Sequence, residues 1–384
     1  MVKIASLATA LVLTLSAAAA HAPHQLEKRA AVATCSTAYK AVAAGAWPAL
    51  DCTPFVQDPQ VVTWLKLVDM TKVPVYAQSK DGVCPTDLTT IPADQCWWTC
   101  QKCEAPTDIT SCPKVGTWGL TYDDGPSPDS PRLYDNLLAH KQKATLFIVG
   151  SRAISFPETL KRAYTEGHHI AIHTWSHPSM TSLSNEQIVA ELKWTEKAIQ
   201  SVIGVTPIYW RPPYGDVDNR VRAIATQLGY KTSIWTQDFD TDDWNIPAKT
   251  ATAQSVIDTF KTWLVKIPTM KTGFIVLEHD LFPEEVNVSI SGILPIAYAT
   301  KNLVMQPIPQ CLGDAKPYLE GAGSFKLIGD AASSNTTTGG SGSTSGNNTT
   351  VSGGSTAKSS AVAVSGSVAL TSVVGIAAIA AALF

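Results

Sequence analysis

The sequence predicts an α/β fold on a parallel sheet, open or closed into a barrel, and two observations predict it. First, short apolar, β-branched and aromatic runs recur at 117–122, 145–149, 169–173, 208–211, 232–236, 274–279 and 302–306. Such composition suits strands buried on both faces, as parallel strands under helices are. Second, stretches of helical periodicity alternate with those runs, which is the signature of strand–helix–strand units.

The helical stretches have readable ends. Ser130-Pro131 offers an N-cap followed by proline, with Leu133, Leu137 and Leu138 on one face. Ser184 to Gln187 reads as a capping box. The helix after it should turn Ile188, Leu192, Thr195, Ile199 and Val202 inward and stop near Gly204. A third should run from Asp218 to Leu228, with Gly229 as its stop. In such folds the strand ends share one rim, and chemistry collects there.

Both termini read as processing signals rather than as fold. Lys3 followed by an apolar run to about Ala20 predicts a secretory signal peptide over 1–20. Lys28-Arg29 is a dibasic pair whose cleavage would make 21–29 a propeptide and start the mature chain near Ala30. Residues 333–360 are almost all Ser, Thr, Gly and Asn, too polar to bury a core. The apolar run over 361–384 then completes the pattern of a GPI signal, with Gly353, Ser352 or Asn348 as attachment site. Asn287, Asn335, Asn347 and Asn348 lie in glycosylation sequons, which fits a secretory route to the cell surface, plasma membrane or wall.

About 300 residues remain between these ends, enough for one large domain with an extension. The formal net charge of −3 excludes a strongly basic surface, so a nucleic-acid partner is not expected. Cys35, Cys52, Cys84, Cys96, Cys100, Cys103, Cys112 and Cys311 form an even set, which in an oxidising compartment suggests disulfides. If all of them pair, Cys311 must reach back to the Cys-rich extension over 30–114. A structural zinc site on Cys96, Cys100 and Cys103 is the rival reading. That extension is expected to be a brace on the main domain rather than a carbohydrate-binding module.

Five clusters carry chemistry. Thr121-Tyr122-Asp123-Asp124-Gly125 ends a strand run. Adjacent carboxylates repel unless a metal holds one as a ligand and leaves the other as a base, although a plain Asp-Asp-Gly turn would look the same. His173-Thr174-Trp175-Ser176-His177 follows another strand. Its two imidazoles suit zinc, and with Asp124 they make a set that leaves positions open for water and substrate. Arg211-Pro212-Pro213-Tyr214-Gly215 is a stiffened loop in which Arg211 could hold a carboxylate bidentately and the Tyr214 N–H could face an oxyanion. Asp240-Thr241-Asp242-Asp243-Trp244 and Leu277-Glu278-His279-Asp280 complete the set. A carboxylate beside His279 would favour its protonated form, as a general acid requires. Trp47, Trp64, Trp97, Trp98, Trp118, Trp194, Trp210 and Trp263 are read as core rather than as sugar platforms, and His140, His168 and His169 as surface or loop residues.

In this order the five clusters resemble the motifs of the polysaccharide deacetylases, carbohydrate esterase family four, over about 115–310. The resemblance implies a distorted (β/α) barrel of the NodB-homology type and hydrolysis of N-acetyl groups, while residues 311–332, beyond its span, are read as a C-terminal wrap. It implies Asp123 as catalytic base and Asp124, His173 and His177 as ligands of Zn2+, or of another divalent ion such as Co2+. It further implies that Arg211 orients Asp123, Tyr214 supplies the oxyanion N–H, and Asp243 tunes His279 as general acid. Trp244 and Leu277 would flank the acetyl methyl. With the secretory and anchoring signals, the chain looks like a fungal chitin deacetylase acting on chitin or chito-oligosaccharides, expected as a monomer. The alternatives are an O-acetyl esterase on a polysaccharide such as xylan, and an inactive chitin-binding wall protein.

Overall fold

A computed structural model describes Cys35, Ala43 and residues 45–325. The expected signal peptide, propeptide, polar linker and apolar tail lie outside the described residues, as do Asn335, Asn347, Asn348, Ser352 and Gly353.

Strands β1 (Thr117–Gly119) and β2 (Thr121–Asp123) are one apolar run interrupted at Leu120. They are followed by β3 (Thr145–Ile148), β4 (His169–Ile172), β5 (Tyr209–Trp210), β6 (Lys231–Thr232), β7 (Phe274–Ile275) and β8 (Val304–Gln306). One parallel sheet has the order β2-β3-β4-β5-β6, and a second, also parallel, has the order β7-β1-β8. Every residue of β2, β3 and β4 is buried, as the unbroken apolar runs require. Register pairs Asp123 with Phe147, Phe147 with Ala171, Ile172 with Trp210, and Trp210 with Thr232. The carboxyl ends of these strands therefore stand level on one rim.

The chain beyond β6 and β7 carries the sheet round. Thr236 N–H donates to Ile275 O at 3.0 Å and Leu277 N–H to Phe239 O at 3.0 Å. Asp123 N–H in turn donates to Glu278 O at 2.9 Å. The result is a distorted barrel.

Helices α1 (Pro59–Leu65) and α2 (Trp98–Gln101) belong to the extension. Around the barrel follow α3 (Ser130–Ala139), α4 (Gly150–Ser155), α5 (Pro157–Thr165), α6 (Asn185–Ile203) and α7 (Asn219–Gln227). The last are α8 (Ala253–Lys266), α9 (Pro283–Val288), α10 (Leu294–Ala299) and α11 (Ile308–Leu312). The capping box of α6 forms as read, and Gly204 ends the helix in the left-handed region at φ 78°. Ile188, Leu192, Thr195 and Ile199 are buried, while Val202 is half-buried. Asp218 caps α7 by accepting from Val221 N–H.

Two expectations need correction. Ser130 is not the cap of α3: Asp129 holds that position, and the Ser130 hydroxyl instead donates to buried Asp280 at 2.5 Å. His168 and His169 are not surface residues but fully buried. His168 Nδ1 accepts from Ala144 N–H, and His169 Nδ1 meets Thr145 Oγ1 at 3.1 Å. Burial pushes both imidazoles down to about 3, so they stay neutral in the core.

All eight cysteines pair: Cys35–Cys52, Cys84–Cys100, Cys96–Cys103 and Cys112–Cys311. Those pairings remove the rival zinc site on Cys96, Cys100 and Cys103. The extension packs on the barrel through Trp47, stacked 6.2 Å from Trp175, and Trp64, edge-on 5.2 Å from Trp194. Among the described residues no helix is long and apolar enough to cross a membrane.

Candidate metal centre and active site

At the end of β2 the backbone turns at Asp124, whose φ is 75°. Strict strand alternation would send the side chains of Asp123 and Asp124 to opposite faces. The left-handed turn instead brings both carboxylates to the same rim, with Asp123 lying 3.8 Å and Asp124 3.3 Å from His173 Nε2. Thr174, His177 and Tyr214 also have φ between 57° and 65°. Such conformations cost on the order of 1–3 kcal/mol each and persist where the surroundings hold them.

The histidine loop is held by its neighbours. Buried Glu191, projecting from α6, accepts Trp175 N–H at 2.7 Å, Ser176 N–H at 2.9 Å and the Ser176 hydroxyl at 2.6 Å. Burial pushes the Glu191 carboxyl up to about 7, against the pull of those donors. His177 N–H donates to Thr174 Oγ1 at 3.1 Å. Glu191 went unseen in the sequence because a glutamate in an amphipathic helix looks like a solvated face.

Asp124, His173 and His177 bring one ligand atom each to within 4.8 Å of one another. His173 Nδ1 meets Arg211 O at 2.8 Å and His177 Nδ1 meets the Tyr214 hydroxyl at 3.1 Å. With Nδ1 engaged, each ring turns Nε2 to the common centre, the orientation that metal-bound imidazoles adopt. Asp124 Oδ1 lies 3.1 Å from His177 Nε2 and 3.3 Å from His173 Nε2. Yet that buried oxygen makes no hydrogen bond of acceptable geometry. Two donors bound to one tetrahedral ion at 2.0–2.1 Å stand about 3.3 Å apart. The spacing and the orphaned oxygen fit a divalent cation. Burial would raise the Asp124 carboxyl, but the two imidazoles outweigh it and hold it well below the usual range.

Arg211, fully buried at the end of β5, donates from Nη1 to Asp123 Oδ1 at 2.8 Å and to Thr121 Oγ1 at 2.9 Å. The clamp is therefore not bidentate on the carboxylate: one nitrogen is shared between two acceptors, and the guanidinium lies 4.2 Å from the Phe147 ring centre. On the far side of the rim His279 Nδ1 lies 2.7 Å from Asp243 Oδ1. Burial opposes protonation of His279, but the Asp243 charge and hydrogen bond prevail and raise it well above the ordinary imidazole range. Trp244 N–H donates to the same Asp243 oxygen at 2.9 Å.

These groups share one cleft. A cavity of about 210 Å3 is lined by Asp123, His173, His177, Tyr214, Trp244, Leu277 and His279 among others. Asp124 and Arg211 stand behind that surface. Of the remaining candidates, Asn287 is exposed on α9, although Ser289 of its sequon is buried against the Tyr122 hydroxyl. The cavity is also lined by residues that the sequence did not single out: Asp81, Gly82, Val83, Thr99, Lys102 and Trp235. Trp98, read as core, is 1% exposed but contributes to the same wall.

Comparison with known proteins follows the same lines. The polysaccharide deacetylase family profile matches residues 110–233. The chain is 47% identical over 285 residues to chitin deacetylase 1 of Cryptococcus neoformans, covering 71% of this chain and 60% of that protein. It thus spans less than two thirds of that relative's length. It is 34% identical to chitin deacetylase 1 of Saccharomyces cerevisiae over 276 residues, 71% of this chain and 81% of the yeast protein. Among solved structures, the chitin deacetylase of the fungal pathogen Colletotrichum lindemuthianum superposes with a TM-score of 0.49 at 28% identity, covering 55% of this chain and 94% of that one. On the family profile and the extent of the yeast match, this chain belongs to the polysaccharide deacetylase family.

Proposed function

We propose that this chain is a secreted chitin deacetylase that hydrolyses the N-acetyl groups of N-acetylglucosamine units to leave glucosamine and acetate. The observation that carries the reading is the meeting on one rim of three parts: the Asp124-His173-His177 set, Arg211-held Asp123, and Asp243-paired His279. Relatives named chitin deacetylase support chitin as the substrate. Two imidazoles and one carboxylate favour zinc, with cobalt able to replace it.

When bound by Asp124, His173 and His177, the ion would supply Lewis-acid polarisation of the acetyl carbonyl and make a water easier to deprotonate. Asp123 accepts the proton from the attacking water, its carboxylate aimed by Arg211. The left-handed turn at Tyr214 offers a backbone N–H to the carbonyl oxygen as negative charge builds there. With Nδ1 engaged by Asp243, His279 hands its Nε2 proton to the departing amine. Trp244 and Leu277 enclose the acetyl methyl.

Four disulfides suit an oxidising compartment and support the secretory reading of the N-terminus. We also propose that the C-terminal apolar run is a GPI signal, removed in exchange for the lipid anchor that tethers the protein to the cell surface. The test is acetate release from defined N-acetylglucosamine oligomers and from acetylxylan, with and without EDTA. Chelator-sensitive release from the oligomers supports the proposal. Release from acetylxylan alone makes the protein an O-acetyl esterase, and no release from either makes it a binding protein.

A further inference from the structure

Six residues that line the cavity, Asp81, Gly82, Val83, Trp98, Thr99 and Lys102, come from the Cys-rich extension, N-terminal to the span matched by the family profile. They are held there firmly. Cys84–Cys100 ties the 81–83 turn to α2, and Cys96–Cys103 closes the loop around that helix. Gly82 packs so closely on the barrel that a Cβ there would lie 2.6 Å from Ser179 Oγ. A Cβ on Gly215 would lie 2.5 Å from the Trp98 ring, so the extension lies directly against the Tyr214 turn. Trp97 Nε1 donates to Asp216 at 2.6 Å, Trp98 N–H to Val217 O at 3.0 Å, and the Thr99 hydroxyl to Gly215 O at 3.1 Å.

On this wall three side chains remain exposed: Asp81, Val83 and Lys102. Val83 is 50% exposed, although it adjoins a disulfide cysteine in a fixed turn. Lys102 Nζ lies 4.3 Å from the Trp98 ring centre, and Gln237 donates to its carbonyl at 2.8 Å, which keeps its stem beside the Asp240 loop. The reacting groups, by contrast, are almost closed off: Asp123, His173 and His279 are at most 6% exposed. A cavity of about 210 Å3 is smaller than the roughly 300–1,000 Å3 that encloses a whole ligand. It therefore has room for little more than one sugar ring and its acetyl group, and the neighbouring rings of a polymer must lie on the rim.

We propose that the extension is a substrate-binding wall, on which Val83 and Lys102 contact the pyranose units that flank the one being deacetylated. The proposal rests on the chitin reading above. The chemistry fits a pyranose: an apolar side chain for a ring's C–H face, and an ammonium held on an indole for its hydroxyl and amide oxygens. The extension thus serves as more than a brace, because its contacts to flanking rings make binding tighter as the chain lengthens.

The test uses the full chain and its Val83→Ala, Lys102→Ala and double variants, assayed for acetate release on N-acetylglucosamine oligomers from dimer to hexamer. Metal content and melting temperature are recorded for each. The expected result is a loss of kcat/KM that grows with chain length, carried by KM, and reaches about fivefold on the hexamer in the double variant, equivalent to about 1 kcal/mol. The dimer loses less. An unchanged dependence on length overturns the proposal. So does an equal loss on every oligomer through kcat, because the extension would then act only by holding the catalytic loops. If the unsubstituted protein releases acetate from no oligomer at any length, the chitin reading itself fails and this proposal falls with it.

Discussion

Asp243 grips His279 twice: Oδ1 lies 2.7 Å from the ring Nδ1, and Oδ2 accepts the backbone N–H at 2.8 Å. The carboxylate thus fixes the position of the imidazole and supplies the negative charge that keeps its proton in place. Because the residue is buried, little solvent screens that charge.

Asp243→Asn should therefore alter the pH profile as well as the rate. A general acid works only while protonated, and His279 is held protonated well above its ordinary range. Without the Asp243 charge the ring should titrate nearer its ordinary value of about 6.5, so the alkaline limb of kcat should move to lower pH. The stability linkage has the same sign. A raised imidazole contributes stability that is present below the unfolded value and lost as pH rises through the folded one. The variant should therefore lose stability over that window. A kcat profile that keeps its alkaline limb would remove His279 from the role of acid.

Asp123→Asn and His177→Ala separate the base from the ligand. The first should lower kcat by at least about a hundredfold while the bound metal survives dialysis, because a general base is worth about 10²–10⁴-fold. The second should lose activity and metal together, since His177 Nε2 is one of three donors around a single centre. Metal analysis after dialysis distinguishes them. Retained metal in the His177 variant would place the ion elsewhere.

Much of this site was legible because its parts stand at strand ends, where a run of buried apolar residues gives way abruptly to Asp, His and Arg. Parallel register then sets Arg211 level with His173 and leaves Asp123 opposite Ala171, two residues short, where the long Arg211 side chain reaches it. The extension's share was not legible. Asp81, Gly82 and Val83 form a short turn with no periodicity, and what holds that turn at the cleft, the pairing of Cys84 with Cys100 and the Ser179 hydroxyl donating to Asp81 O at 3.0 Å, is not specified by spacing. His168 and His169 mislead for the opposite reason: polar residues at the start of β4 resemble a loop, but helix and sheet close over them.

Glu191 offers a test of how firmly the histidine loop must be held. Its carboxylate takes two backbone N–H groups and one hydroxyl from Trp175 and Ser176, both of which lie between His173 and His177. Glu191→Ala would leave those donors buried without acceptors, at about 1–3 kcal/mol for each such group. The expected outcome is a lower melting temperature together with weaker metal affinity, measured by competition with a chromogenic chelator. Glu191→Gln keeps one acceptor oxygen and should recover part of the affinity. Equal metal affinity in all three proteins would make Glu191 a packing residue alone.

The Cys112–Cys311 bond joins positions 199 residues apart and so encloses nearly the whole barrel. Its neighbourhood is tight, with Gly273 N–H donating to Cys112 O at 2.8 Å and Cys112 fully buried. A cross-link over so long a loop removes much of the unfolded chain's freedom, worth about 3–5 kcal/mol in the entropic account. Replacing both cysteines with serine should lower unfolding free energy by that order while leaving acetate release in the surviving folded fraction intact, because neither sulfur reaches the cleft lining. Denaturant titration measures the first effect and assay at low temperature the second. A variant as stable as the parent would show that the barrel closes on its own hydrogen bonds and core packing. Lost activity at full stability would instead tie the C-terminal segment to the chemistry.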